Sequence, residues 1–139
     1  MKKALFLIIF LIWALSLTSK EYADTIENFK VIKVRDGDTF VITIENIPDV
    51  FGEEIAVRIR GIDTPELKDE REEIKAIAIK AKEELEKLLY SGKKIVLYNL
   101  GRDKYFRLLA SVKVDGVDVA EHLIKKGLAK EYDGGKKVW

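Results

Sequence analysis

Apolar residues are frequent along residues 28–34, at Phe29, Val31, Ile32 and Val34, and residues 39–44 are a run of β-branched residues with one phenylalanine, which is typical of two neighbouring strands. The sequence Asp-Gly-Asp at positions 36–38 separates them, and these residue types are common in tight turns. The pattern therefore predicts a β-hairpin. Residues 47–53 follow, and their proline and glycine predict a loop.

In a third stretch, residues 55–62, apolar and polar positions alternate, which places Arg58 and Arg60 on one face of a predicted strand. The sequence Asp-Thr-Pro-Glu at positions 63–66 ends this strand, because proline lacks the N–H group that a central strand donates. We expect these four residues to leave the sheet as a turn.

The apolar period then changes from two residues to three and four, which predicts a helix with one buried face. Asp69 and Glu72 have the spacing of a capping box at its start, and Ser-Gly at positions 91–92 ends it. The apolar positions of this face are Ile74, Ile77, Ala78, Ala81, Leu85 and Leu88.

Two more strands are predicted at residues 95–100 and 108–114, and an Asp-Gly turn follows at 115–116. A second amphipathic helix covers residues 119–126 and ends at a glycine, and residues 132–137 form an irregular tail.

Three strands, a helix, two strands and a helix indicate an α+β fold that is mainly β. A five-stranded OB-fold β-barrel with two to three packed helices fits this order in a chain of 139 residues. Periodicity alone does not separate this barrel from a split α+β sheet, which has nearly the same order of elements.

Residues 1–19 differ from the rest of the chain. A short basic head precedes an apolar run of 14 residues at positions 4–17, which is shorter than the roughly 20 residues of a membrane-spanning helix. The pattern predicts a signal peptide, and a retained membrane tether is the alternative because no Ala-x-Ala cleavage site follows. We therefore expect residues 20–139 to form a secreted or extracytoplasmic domain, monomeric, with membrane contact only through an uncleaved N-terminal segment.

The composition indicates that any affinity for anions does not come from the net charge of the chain. The net charge is +1, and without Lys2 and Lys3 the 25 basic residues become 23 against 24 acidic ones. Bulk charge thus gives no sign of a nucleic-acid binder, and such affinity has to come from locally placed arginine and lysine. Cysteine is absent, so the domain has to be stabilised by apolar burial or by a bound ion.

Asp38 and Asp63 are the first candidates for chemistry. If the strands that end at residue 62 and begin at residue 38 are neighbours, the two carboxylates meet, and their repulsion favours a cation. Oxygen donors without nearby histidine or cysteine favour Ca²⁺ or Mg²⁺ over zinc. Each motif taken alone is also common in ordinary solvated turns, and that reading stays open.

Arg58 and Arg107 are candidates for phosphate binding, because the forked guanidinium matches the geometry of phosphate oxygens. The alternative is that they form surface ion pairs with the acidic residues. Arg60 shares a face with Arg58 and either adds phosphate affinity or is a solvated strand residue. His122, the only histidine, lies within the second predicted helix, and we expect it to be structural or exposed to solvent.

Three sequence blocks resemble the staphylococcal nuclease (thermonuclease) family. They are VIKVRDGDT at 31–39, VRIRGIDTPE at 57–66 and DKYFRLLA at 103–110, and residues 119–130 resemble the late helix of that family. The resemblance covers about residues 29–130. It implies an OB-fold endonuclease that depends on Ca²⁺ and hydrolyses DNA and/or RNA to 5′-hydroxyl and 3′-phosphate ends.

The resemblance also implies roles for individual residues. Asp38 and Asp63 would bind Ca²⁺ through their carboxylates and Thr64 through its backbone carbonyl. Glu66 would act on a bound water as general base or positioning group. The phosphate contacts are implied for Arg58 and Arg107 at the reacting phosphoryl group and for Lys104 and Tyr105 at a neighbouring phosphate.

Two other classes of function stay open at this point. One is a catalytically silent OB-fold module that binds nucleic acid or protein, and the other is a structural domain that uses Ca²⁺ only for stability. Tyr132 either extends an aromatic wall for the substrate or serves packing alone. The sequence does not choose between DNA and RNA, nor between endonucleolytic and exonucleolytic action.

Overall fold

Five long strands, three short strands and three helices make up the described part of the chain, residues 24–139 of a computed structural model. The long strands are β1 (Phe29–Asp36), β2 (Thr39–Ile44), β3 (Ile55–Ile59), β5 (Ile95–Arg102) and β6 (Leu108–Val114). The short strands are β4 (Ile62–Asp63), β7 (Val117–Asp118) and β8 (Lys130–Glu131). The helices are α1 (Asp49–Gly52), α2 (Glu72–Ser91) and α3 (Val119–Lys125).

The long strands pair in the order β1-β2-β3-β6-β5. Neighbours are antiparallel except β3 and β6, which are parallel. One residue pair brings the two edges together, because Ile26 and Leu97 exchange backbone hydrogen bonds of 2.9 and 3.0 Å. Register shifts in the β1–β2 and β5–β6 pairs supply the local bending that curvature requires. The OB-type barrel predicted from the sequence is confirmed.

The barrel interior and two helix faces form one apolar core. Phe40, Ile42, Val57, Ile59, Leu97 and Val112 of the strands are fully or almost fully buried. Helix α2 contributes Leu85 and Leu89, and α3 contributes Val119 and Leu123. Each large apolar side chain buried in this way contributes roughly 1.5–3 kcal/mol relative to an exposed one. The predicted buried face of α2 is displaced at its end, since Leu89 lies in the core and Leu88 is only partly buried.

The predicted capping box of α2 is wrong. The helix begins at Glu72 after the N-cap Arg71, and no side chain caps it. Asp69 instead accepts hydrogen bonds from the backbone N–H of Arg71 at 3.0 Å and from its guanidinium at 2.9 and 2.6 Å. Aspartate readily binds a backbone N–H two residues on, and this local turn competes with the capping role.

The third predicted strand is interrupted. It leaves the sheet after Ile59, and Gly61 takes a φ of 84° that glycine adopts without steric cost. The chain then pairs β4 with β8, which the sequence did not predict, so that Asp63 lies opposite Lys130. The loop predicted at 47–53 contains the short helix α1 after Pro48, a residue type well suited to helix starts.

The predicted signal peptide or tether at residues 1–19 lies outside the described residues. Within residues 24–139, no helix is long and apolar enough to cross a membrane.

Candidate active site

One cleft beside the start of β2 and the end of β3 collects the charged residues that the sequence singled out. Its volume is about 1050 Å³, and the tail after β8 forms part of its wall. All eight predicted site residues line it: Asp38, Arg58, Asp63, Thr64, Glu66, Lys104, Tyr105 and Arg107. The fold therefore gathers acids and guanidinium groups from three separate parts of the chain.

Asp38 is held in place by hydroxyl and amide donors. Its Oδ2 accepts hydrogen bonds from the backbone N–H of Thr64 at 3.0 Å and from the Thr64 hydroxyl at 3.1 Å. Its Oδ1 accepts one from the Thr39 hydroxyl at 2.9 Å. All three residues are buried. The carboxylate thus has a fixed orientation before any ligand arrives.

Arg58 lies between the two predicted metal-binding carboxylates. Its Nη2 is 3.3 Å from Oδ2 of Asp38 and 3.6 Å from Oδ1 of Asp63, and its Nη1 donates to the carbonyl of Ile59 at 2.7 Å. The side chain is only 10% exposed. One buried positive charge therefore faces two buried negative charges, and the site lacks one positive charge for balance.

Asp63 carries the clearest sign of that imbalance. Its Oδ2 is buried without a hydrogen-bond partner among the residues that the structure describes. Burial raises the pKa of Asp63, the charge of Asp38 raises it further, and Lys137 and Arg58 lower it only in part. A free carboxylate oxygen in an all-oxygen donor set fits a hard divalent cation.

The protein would supply only part of a metal shell. Across residues 24–139, no three histidine, cysteine, aspartate or glutamate side chains are arranged to hold a metal ion. Asp38 and Asp63 would therefore need the backbone carbonyl of Thr64 and water molecules beside them. Such partly hydrated sites are common for hard cations.

Asp36 is a cleft residue that the sequence reasoning treated only as part of a turn. Its Oδ1 accepts a hydrogen bond from the backbone N–H of Asp38 at 3.1 Å. Burial raises the pKa of Asp36 to about 6, and the charge of Asp38 adds to the effect. Its position two residues before Asp38 was the available signal, because a turn of this kind points both carboxyl groups to one side.

Glu66 lies at the solvent side of the cleft, where it forms an ion pair with Lys137 of the tail. Both side chains are more than half exposed. The tail is anchored nearby, since Trp139 donates from Nε1 to the carbonyl of Asp63 at 2.9 Å. These tail contacts were not predicted, because no periodic pattern marks an irregular segment that returns to a distant loop.

Arg107 is oriented by Asp103 across the loop that precedes β6. Its Nε donates to Oδ2 of Asp103 at 2.6 Å, and its backbone N–H donates to Oδ1 at 2.9 Å. Two cations lie near the ring of Tyr105, whose centre is 5.1 Å from Nζ of Lys104 and 5.4 Å from Cζ of Arg107. The loop thus presents two cationic groups and an aromatic ring to the cleft.

The remaining candidates fall into two groups. Arg60 and Tyr132 also line the cleft, and Arg60 donates from Nε to the carbonyl of Asn99 at 3.0 Å. His122 lies away from the cleft and contacts Glu84 at 2.7 Å, and Lys126 contacts the same carboxylate at 2.9 Å. His122 was predicted to be structural or exposed to solvent, and this contact between α2 and α3 shows the structural alternative.

The chain is thus an OB-fold protein whose cleft combines paired carboxylates with guanidinium groups, the side chains that suit a cation and a phosphate. The family model described as "Staphylococcal nuclease homologue" matches residues 56–137, more than half of the chain. The chain belongs to the staphylococcal nuclease family.

Two relatives from Bacillus subtilis are similar to this chain. The SPbeta prophage-derived endonuclease YokF is 40% identical over 97 residues, which cover 68% of this chain and 31% of that protein. Endonuclease YncB is 36% identical over 105 residues, which cover 74% of this chain and 47% of that protein. The chain thus spans less than half the length of either relative.

Proposed function

We propose that the protein is a calcium-dependent nuclease that hydrolyses phosphodiester bonds of DNA and/or RNA and leaves 5′-hydroxyl and 3′-phosphate ends. The observation that carries the proposal is the convergence of Asp38 and Asp63 on Arg58 in a cleft that also contains Glu66 and Arg107. Membership of a nuclease family and two relatives named endonucleases support the same activity.

Asp38, Asp63 and the carbonyl of Thr64 are the residues that would hold the ion. When bound, Ca²⁺ supplies positive charge next to the phosphoryl oxygens and to an attacking water. The fixed hydrogen bonds from Thr64 and Thr39 to Asp38 hold one ligand ready for the ion. The unpartnered oxygen of Asp63 is the second ligand available without breaking a protein contact.

Glu66 is the group that we assign to the attacking water, as general base or by positioning it. It lies in the cleft and is exposed, so water reaches it. Its contact with Lys137 is a surface ion pair, and such pairs contribute little stability. The carboxylate is therefore easily released when substrate arrives.

Arg58 and Arg107 are assigned to the phosphoryl oxygens. The reaction joins the water oxygen to phosphorus and breaks the bond to the 5′-oxygen, and negative charge grows on the other oxygens during this step. Guanidinium groups that are already oriented stabilise this charge without reorganisation. Asp103 and Ile59 provide that orientation for Arg107 and Arg58. Lys104 and Tyr105 would bind a neighbouring phosphate of the same strand.

Export from the cytoplasm and a monomeric state belong to the same proposal. Export rests on the sequence of residues 1–19, which the structure does not describe. The relatives named endonucleases favour cleavage within a strand over release of terminal nucleotides.

The proposal is tested with the full chain, labelled DNA and RNA, and excess Ca²⁺ or a chelator. We expect cleavage with Ca²⁺ only, loss of cleavage in Asp38→Ala and Glu66→Gln, and a decrease of roughly 10² to 10⁴ in rate for Arg107→Met. Intact nucleic acid in the presence of folded protein and Ca²⁺ would contradict it. Calcium that stabilises the unchanged protein and Glu66→Gln equally, with no cleavage by either, would assign the ion to stability alone.

A further inference from the structure

Phe106 stands out among the aromatic residues of the described chain because it is both strained and exposed. Its side chain is 78% exposed, and its φ is 64°, in the left-handed region that bulky side chains rarely adopt. Five non-glycine residues in the range 24–139 have positive φ, and the other four are Asn, Asp or Glu. A large apolar side chain is thus held in solvent at a backbone conformation that favours glycine.

The loop around Phe106 enforces this conformation. Its backbone N–H donates to the carbonyl of Asp103 at 3.0 Å, and its carbonyl accepts from Nη1 of Arg102 at 3.0 Å. Asp103 also accepts the backbone N–H groups of Tyr105 and Arg107, both at 2.9 Å. Strain that surrounding contacts maintain in this way is common at functional sites.

The ring of Phe106 forms half of a stack. The guanidinium carbon of Arg102 lies 4.7 Å from the ring centre, so a planar cation covers one face. Stacked aromatic rings and guanidinium groups are the surfaces on which unpaired bases bind, because every base has a flat aromatic face. Lys104, Tyr105 and Arg107 continue from this stack into the cleft and add positive charge along the same loop.

We infer that Phe106 and Arg102 form a base-stacking site at the rim of the cleft, which binds an unpaired base of the strand whose phosphate lies in the site. Neither residue lines the cleft itself. A strand held at Lys104 and Arg107 by its phosphates passes this rim, and its base exchanges water for the open face of the ring. The inference deepens the proposed nuclease function, but its binding step is independent of catalysis.

The first test measures binding without cleavage. The full chain is titrated against a fluorescent single-stranded oligonucleotide in the presence of a chelator, and anisotropy gives the Kd. Phe106→Gly is expected to weaken binding by roughly 5- to 150-fold, since stacking of one base supplies this range of affinity. Phe106→Trp keeps a stacking ring and should keep the affinity.

Two controls separate stacking from other effects. An oligonucleotide of the same length with abasic sites should bind Phe106→Gly and the unchanged protein equally, because its phosphates remain. Phe51→Ala removes a ring of similar exposure, 69%, from α1, which contributes no residue to the cleft, and should leave the affinity unchanged.

Thermal unfolding distinguishes a binding role from a structural one. Glycine relieves the positive φ at position 106, so Phe106→Gly should unfold at the same temperature or a few degrees higher. The inference would be overturned if Phe106→Gly unfolds at a lower temperature or has an unchanged Kd. It would also be overturned if the variant loses association between copies of the chain and keeps its affinity for the oligonucleotide.

A cleavage assay with Ca²⁺ separates this inference from the proposed function. If the unchanged protein cleaves and Phe106→Gly binds the oligonucleotide with the same Kd, the stacking site is refuted and the nuclease proposal stands. If the unchanged protein does not cleave, and Phe106→Gly binds the oligonucleotide more weakly, the stacking site is supported and the nuclease proposal is refuted.

Discussion

Thr64 donates two hydrogen bonds to a single oxygen of Asp38, one from its backbone N–H at 3.0 Å and one from its hydroxyl at 3.1 Å. This contact joins the first hairpin to the segment after β3, and it is buried on both sides. The sequence interpretation assigned Thr64 only a backbone carbonyl that binds metal. The structure adds a second role, since Thr64 fixes the carboxylate of the neighbouring predicted ligand.

Thr64→Val tests this role with little change of shape, because valine keeps the branched side chain and removes the hydroxyl. A hydrogen bond to a buried charged group contributes about 1.5–3 kcal/mol, so we expect the free energy of unfolding to fall by that amount. Urea denaturation without metal measures it. Thr64→Ser retains the hydroxyl and should cost less, and equal stability of Thr64→Val and the unchanged protein would contradict the assignment.

Much of the fold was predictable because its signals are local. The hairpin of β1 and β2 follows from two stretches rich in apolar and β-branched residues around Asp-Gly-Asp, and α2 follows from its apolar period. The pairing of β4 with β8 was not predictable, since two strands of two residues each carry no periodic pattern. The start of α2 was missed because the carboxylate of Asp69 accepts the backbone N–H of Arg71 and therefore does not cap the first turn of the helix.

The residues of the site also differ in whether a local sequence signal marks them. The predicted residues that bear a motif, such as Asp38, Asp63 and Arg107, all line the cleft. Lys137 and Trp139 were missed, because their contacts with Glu66 and Asp63 join irregular segments far apart in sequence. Such contacts arise from the path of the tail, which the packing of the whole domain determines.

Arg58→Met should destabilise the metal-free protein by about 3–5 kcal/mol, because it leaves the buried carboxylates of Asp38 and Asp63 without their shared cation. Calcium should restore part of the loss, since it supplies the missing charge at the same place. Urea unfolding with Ca²⁺ or with chelator measures both effects. Arg60→Met, two residues further on and just after β3, is the matched control, and an equal loss in both variants would contradict the prediction.

Lys137→Gln is expected to strengthen calcium binding. Lys137 lies close enough to the acids that its charge lowers the pKa of Asp63, and Glu66 raises the pKa of Lys137 in return. Its positive charge therefore repels a cation at the site. Removing one largely exposed charge at this range corresponds to roughly a 2- to 5-fold change in affinity, smaller at high salt.

Calcium titration by calorimetry measures this change. Lys136→Gln removes the same charge from the adjacent position, which does not line the cleft, and should alter the affinity less. Stability should change by no more than about 0.5 kcal/mol in either variant, because the ion pair with Glu66 is exposed. Weaker calcium binding in Lys137→Gln would show that the tail supports the site in another way.

Asp103→Asn tests the anchor of the loop that carries Arg107 and Phe106. Burial raises the pKa of Asp103, but hydrogen bonds from the backbone and side chain of Arg107 outweigh it, so the pKa of Asp103 in the folded protein is lowered from its ordinary value. A carboxyl group with a lowered pKa stabilises the fold above its unfolded-state pKa, and this contribution is lost as the pH falls through the folded-state value. We therefore expect the unchanged protein to lose stability below about pH 4 more steeply than Asp103→Asn, which cannot ionise at this position. Urea unfolding across that range measures how steeply the free energy of unfolding falls with pH. Nuclease assays at neutral pH should also give a slower rate for Asp103→Asn, because Arg107 loses its fixed orientation. Parallel slopes for the two proteins would show that Asp103 has no part in the acid sensitivity of the fold.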